Sequence, residues 1–205
     1  MEAYSSTTKL ATCLVALAAV AVLVSPCTAQ NSPEDFVDLH NAARAVVSVG
    51  PVSWDETVAA FAESYAALST DDCTAVHSSG SEYYGENILV GGAGYNWSAS
   101  DAVGYWVAEK QWYDHGSNSC SAPEGESCGH YTQVVWRDSV TIGCARAVCS
   151  DGSVFFTCNY SPPGNYVGES PYQKGAGSES SYSMARSGQV VREYFIADKI
   201  LTEIL

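Results

Sequence analysis

Six of the eight cysteines in this 205-residue chain lie between Cys73 and Cys158, and the other two, Cys13 and Cys27, lie in an N-terminal stretch that reads as a leader. Lys9 precedes an apolar run from Leu10 to Val24, and Cys27-Thr28-Ala29 sets small residues just before a cleavage point at Gln30. That is the pattern of a secretory signal peptide over residues 1–29. The run is short for a transmembrane helix, and no later stretch has the length and apolarity of a membrane anchor. An even set of cysteines in an oxidising compartment is expected to close completely, so Cys73, Cys120, Cys128, Cys144, Cys149 and Cys158 should form three disulfides. Spacing alone does not choose among the pairings. With all six paired, no thiol remains to act as a nucleophile.

Charge narrows the partners. Glu2 and Lys9 cancel, so the chain keeps its net charge of −14 once the leader is set aside. Such a surface repels nucleic acid, and no nucleic-acid partner is expected. Residues 30–205 are enough for one domain with its own core, and a monomer is expected.

The pattern along the chain predicts helices first. Ser32-Pro33-Glu34-Asp35 offers a capping serine, proline at the first helical position and two acids at the positive end of the dipole. Phe36, Leu39, His40, Ala43, Val46 and Val47 then recur at helical spacing until Gly50-Pro51. Ser53 with Glu56 reads as a capping box for a second helix, with Trp54, Val58, Phe61, Tyr65 and Leu68 as its apolar stripe. Residues 71–97 read mostly as loop. A third helix is predicted from Ala99 to Tyr113, with Ala102, Tyr105, Trp106, Glu109 and Tyr113 on one face. Strands are predicted at 130–136, 141–148 and 153–160, with Asp151-Gly152 as a turn. Gln173 to Ser183 is a Gly/Ser-rich linker, and residues 173–205 are expected to be a mobile extension whose Val190, Tyr194, Ala197, Leu201 and Ile204 share one helical face. The order of elements predicts an α+β domain.

Four histidines follow the leader. His40 reads as a partly buried helix histidine with a hydrogen-bond partner, and His115 as exposed and inert. His77 and His130 stand out because two conspicuous acids accompany them: Glu86, just before an apolar run, and Glu109, on an aromatic helix face. A carboxylate in such a place costs several kcal/mol to bury unless it is paired or bound to a cation. Two neutral imidazoles and two carboxylates also suit a divalent cation such as Zn²⁺. Asn96-Trp97-Ser98 and Asn159-Tyr160-Ser161 are glycosylation sequons, of which Asn96 is the more accessible by its glycine-rich setting.

His40-Asn41-x-x-Arg44, Cys73 and His77, Gly85-Glu86-Asn87, Trp106-x-x-Glu109-Lys110, Gly129-His130-Tyr131-Thr132-Gln133-Val134-Val135-Trp136, Gly143-Cys144-Ala145 and Cys158-Asn159-Tyr160 occur in that order. From Asp35 to Tyr172 the chain resembles the CAP superfamily (cysteine-rich secretory proteins, antigen 5, pathogenesis-related class 1), and its plant pathogenesis-related members in particular. The resemblance implies a CAP domain over residues 30–172. It implies a three-layer α-β-α sandwich with a small antiparallel sheet, and disulfides Cys73–Cys149, Cys120–Cys128 and Cys144–Cys158. It also implies that His77, Glu86, Glu109 and His130 line a central cleft, which in some members holds zinc or another divalent cation.

The function implied is that of a secreted defence protein that binds sterol or another lipid, with Tyr83, Tyr84, Tyr95 and Trp97 as candidate lining. Pro162 to Tyr172 resembles a C-terminal peptide that some plant members release, although Ser161 stands where those have Asp. From its prolines and glycines alone the same segment reads as an extended strap across the surface. The alternative is a hydrolase in which His77 and His130 hold Zn²⁺, one glutamate completes the shell and the other is general base. The expected destination is the extracellular apoplast, or the vacuole if the extension acts as a sorting signal.

Overall fold

A computed structural model describes residues 30–79 and 83–173. The leader and the extension from residue 174, with the sorting and helix expectations attached to them, lie outside those residues. Helix α1 (Pro33–Val46) starts as the sequence predicts: the Ser32 hydroxyl accepts from Asp35 N–H, and the Asp35 carboxylate accepts from Ser32 N–H at 2.8 Å. Its buried face is Phe36, His40 and Arg44, while Val46 is exposed. After the short strand β1 (Ser53–Trp54) comes α2 (Glu56–Leu68). The cap of α2 is Asp55, which accepts from Thr57 and Val58 N–H; Ser53 belongs to β1, which corrects the predicted Ser53/Glu56 box.

Strand β2 (Gly85–Gly91) crosses the region read as loop. Helix α3 (Ala99–Ala108) tightens into a 3₁₀ turn at Glu109–Trp112, so the predicted single helix to Tyr113 is two pieces. The small hairpin of β3 (Tyr113–Asp114) and β4 (Ser119–Cys120) precedes α4 (Gly129–Val134), and β5 (Thr141–Val148) and β6 (Val154–Ser161) complete the chain of elements. The main sheet runs β1-β5-β6-β2, antiparallel except that β1 lies parallel to β5, so it is mixed rather than antiparallel throughout.

The two-residue pleat divides the core. Ile142, Cys144, Phe156, Cys158 and Tyr160 face a cluster with Phe36, Trp106 and Tyr131, formed by α1, α3 and α4. Ala145 and Phe155 face Ala62 and Ala66 of α2 on the other side. Helices on both faces of one sheet make the expected α-β-α sandwich. On α2 the buried residues are Val58, Ala59, Ala62 and Ala66, while Leu68 is exposed. The helix rolls onto its alanines because it sits against the sheet backbone: a Cβ on Gly143 would lie 2.0 Å from Ala59 N. The disulfides are Cys73–Cys149, Cys120–Cys128 and Cys144–Cys158, as the resemblance implies.

The segment predicted as a strand at 130–136 is α4. Its Val134-Val135 pair favours a strand, but charged side chains hold both ends of the helix. Glu109 Oε2 accepts from His130 N–H at 2.9 Å and Tyr131 N–H at 3.1 Å, at the end whose amides have no intrahelical partner. At the other end, Arg44 donates to Val134 O, Trp136 O, Arg137 O and Ser139 O, and its Nε to Gly50 O. Burial pulls the Arg44 pKa down to about 10, which leaves it charged at neutral pH.

Candidate functional site

The four expected side chains form two imidazole–carboxylate pairs. His77 Nδ1 donates to Glu86 Oε1 at 2.9 Å, and His130 Nδ1 donates to Glu109 Oε1 at 2.5 Å. The pairs approach the edge strand β2 from its two faces. Glu86 and Asn87 are neighbours and so point oppositely. Glu86 accepts from Asn159 Nδ2 at 3.2 Å and Ser78 N–H at 2.9 Å, whereas Asn87 Nδ2 donates to His130 O and to the Tyr160 hydroxyl, both at 3.0 Å. Among the described residues, no three His, Cys, Asp or Glu side chains are grouped closely enough to hold a metal ion.

Both glutamates are buried, at 8% and 3% exposure, while the imidazoles reach solvent with side chains 58% exposed for His77 and 31% for His130. The hydrogen bond to Glu86 raises the His77 pKa. Burial pushes Glu86 up, but hydrogen bonds from His77, Ser78 N–H and Asn159 outweigh it and hold the carboxyl below its usual range. Each carboxylate fixes the Nδ1–H tautomer of its histidine and leaves Nε2 as a free acceptor.

A buried chain of hydrogen bonds supports His130. His40 Nδ1 can only donate to Phe36 O, at 2.7 Å, so its Nε2 accepts from the Tyr160 hydroxyl at 2.8 Å. Tyr160 in turn accepts from Asn87, whose amide also holds His130 O. Burial lowers the His40 pKa to about 4, so it stays neutral. It is fully rather than partly buried. His115, expected to be exposed, is half-buried: its ring stacks on Tyr172 at 4.1 Å, and both ring nitrogens are shielded from solvent. The sequence reading missed Arg44, Asn87 and Tyr160 as supports of this site; their signal, polar residues at buried positions of strong elements, cannot be assigned partners before the fold is known.

Tyr83, Tyr84, Tyr95 and Trp97 do not line one groove. Tyr84 packs on Phe61 before β2 begins, and Tyr95 sits edge-on to Trp97 beyond its other end. A cavity of about 480 Å³ opens instead between α1, α2 and β5, walled by Phe36, Trp54, Ala66, Ala67, Cys144 and Ala145. Pro162 to Tyr172 is a strap: Gln133 Oε1 accepts from Gly164 N–H, Thr132 donates to Asn165 Oδ1, and Arg137 N–H donates to Pro171 O. Among the described residues no helix is long and apolar enough to cross a membrane.

Comparison with known proteins agrees with this architecture. A sequence model described as "CAP: Cysteine-rich secretory protein family" matches residues 37–160. The chain is 58% identical over 160 residues to a pathogenesis-related protein PR-1 type from Sambucus nigra, covering 78% of this chain and 91% of that protein. It is 55% identical over 151 residues to pathogenesis-related protein 1A of Nicotiana tabacum, covering 74% and 87%. Among solved structures, NaASP2 with Zn²⁺ superposes with a TM-score of 0.58 at 24% identity, over 70% of this chain and 86% of that one. Venom allergen-like protein 4 of Schistosoma mansoni gives 0.56 at 21%, over 69% and 93%. Motifs, sandwich, disulfides and relatives agree: the chain belongs to the cysteine-rich secretory protein (CAP) family, within its plant pathogenesis-related class 1 group.

Proposed function

We propose that this is a secreted defence protein that works by binding, with a sterol or other lipid as ligand. The observation that carries binding over turnover is the state of the two glutamates. Glu86 accepts from His77, Ser78 N–H and Asn159, and Glu109 from His130 twice and Tyr131 N–H. Both carboxylates are committed to holding structure, so neither is poised as the general base that hydrolysis needs. All six cysteines of the described residues are in disulfides, a state that fits an oxidising, extracellular setting.

The cavity between α1, α2 and β5 supports the lipid part, because its size suits the body of a small ligand and its lining is amphipathic: Phe36, Trp54, Ala66 and Ala67 give an apolar wall, and Asn31, Glu63 and Arg146 give a polar one for a ligand hydroxyl. Titration of the full-length protein with ergosterol and plant sterols should show saturable binding, which Ala67→Trp at the exposed rim should weaken. No saturable binding to any sterol sinks the lipid reading. Binding unaffected by Ala67→Trp moves the ligand elsewhere.

A second reading concerns a divalent cation. The arrangement of carboxylate, Nδ1–H and free Nε2 is the one that orients histidine as a metal ligand. His77 and His130 would then hold Zn²⁺ through Nε2, with Glu86 and Glu109 as orienting groups and water completing the shell. The cation would supply a Lewis-acidic centre. Release of the strap as a signalling peptide requires cleavage after Ser161, the last residue of β6, followed by rupture of its hydrogen bonds to α4. Mass spectrometry of extracellular fluid tests for the Pro162–Tyr172 fragment.

A further inference from the structure

The fold treats the two sequons oppositely. Asn96 is exposed in the loop between β2 and α3, and the side chain beside it, Tyr95, is 59% exposed. The Tyr95 hydroxyl donates to Asp101 and its ring sits edge-on to Trp97 at 5.1 Å, so the exposed asparagine lies between two aromatic residues in the chain. Asn159 has no exposed surface. It lies on β6, a central strand flanked by β5 and β2, and its Nδ2 donates to Glu86.

We propose that Asn96 carries an N-linked oligosaccharide and that Asn159 stays bare. The proposal rests on the secretory reading of residues 1–29. In the transfer, Asn96 Nδ2 loses one proton and bonds to the anomeric carbon of a polyprenyl-diphosphate-linked oligosaccharide. The bond from that carbon to the diphosphate oxygen breaks, and polyprenyl diphosphate leaves. On Asn96 the first sugar stays in solvent and can pack on Tyr95. On Asn159 it would have to occupy the sheet, and the asparagine could no longer hold Glu86. A chain modified there would not reach this fold.

The position has a functional consequence. Asn96 follows the Gly91 end of β2, and Glu86 stands at the other end, about 17 Å away along the strand at about 3.3–3.4 Å per residue. The glycan therefore stands beside the aromatic pair past one end of β2, while Glu86, which holds His77, stands at the other end of that strand.

The test is expression of the full chain, with its own leader and C-terminus, in plant cells, followed by glycopeptide mass spectrometry and peptide N-glycosidase treatment of the medium. The expected result is one glycan on Asn96, a single mobility step lost on enzyme treatment and absent from Asn96→Gln. Ser161→Ala, which destroys the second sequon without touching Asn159, should keep the full mobility step. Secreted protein bare at Asn96, or glycan on Asn159, overturns the proposal. A chain retained unprocessed inside the cell overturns the secretory reading, and the proposal with it.

Discussion

His40 and the pair His77/His130 are the same residue type in opposite circumstances. Around His40 every hydrogen-bonding valence is used: Nδ1 on Phe36 O, Nε2 on Tyr160, and one turn along α1 the Arg44 guanidinium on five backbone carbonyls. At the edge of β2 each histidine spends only Nδ1, on a buried glutamate, and keeps Nε2. Saturation marks scaffold, and a pre-oriented unsaturated atom marks a site. The two regions are one machine in sequence terms: Arg44 and Glu109 hold the ends of α4, and α4 carries His130.

The largest contrast should come from Arg44→Met. It leaves several buried carbonyls without a donor, at about 1–3 kcal/mol each, and loosens the C-terminal end of α4. A loss of roughly 4 kcal/mol or more is expected in denaturant unfolding. His77→Gln, at an exposed position, should stay within about 0.5 kcal/mol of the parent. Comparable losses for the two would erase the distinction between scaffold and site.

Acid should separate the regions next. Folded His40 takes a proton only below about 4, against 6.5 in an unfolded chain, so the unfolded state binds more protons between those values. Stability should therefore fall as pH drops from 6.5 towards 4, by ~3 kcal/mol at about 1.4 kcal/mol per pH unit. The His77–Glu86 pair runs differently. Raised His77 contributes below 6.5 and loses that contribution as pH rises through its folded pKa; lowered Glu86 contributes above 4.5 and loses it as pH falls through its own. The pair is thus at full strength where His40 is failing, though His77 is exposed enough that its share is small. Unfolding curves from pH 7 to 4 with His40→Gln alongside check this: the variant should lose most of the slope.

The smallest effect is spectroscopic. His77 should titrate above 6.5 and fall back towards that value in Glu86→Gln, because the carboxylate is the main cause of its shift. A midpoint that ignores the substitution would mean the pair does not form in solution.

Much of the scaffold was legible in sequence, for identifiable reasons. Ser32-Pro33 and the β-branched and aromatic runs predicted as strands at 141–148 and 153–160, observed at 141–148 and 154–161, are local signals that tertiary packing reinforces. The 130–136 segment was misread because its local preference is for strand, and only the distant Glu109 and Arg44 make it helical. Strand β2 was hidden by its bracketing glycines, of which Gly85 is required by Gln133: a Cβ there would meet Oε1 at 2.1 Å. On α2 the large residues suggest the wrong buried stripe, because the close approach at Gly143 draws the alanines in. At the site, the motifs supplied the four residues through family resemblance. Their partition into His77–Glu86 and His130–Glu109 depends on the opposite facing of Glu86 and Asn87, which no spacing in the chain records.

The central claim is that free Nε2 atoms on His77 and His130 distinguish the site from the scaffold. Imidazole ¹⁵N resonances of the full-length protein, recorded at a pH above the His77 titration with and without Zn²⁺, test it most directly. All three of His40, His77 and His130 should appear as Nδ1–H tautomers, and zinc should move the Nε2 signals of His77 and His130 while leaving His40 unchanged. Zinc-induced shifts at His40, or none at His77 and His130 at saturating zinc, would contradict it.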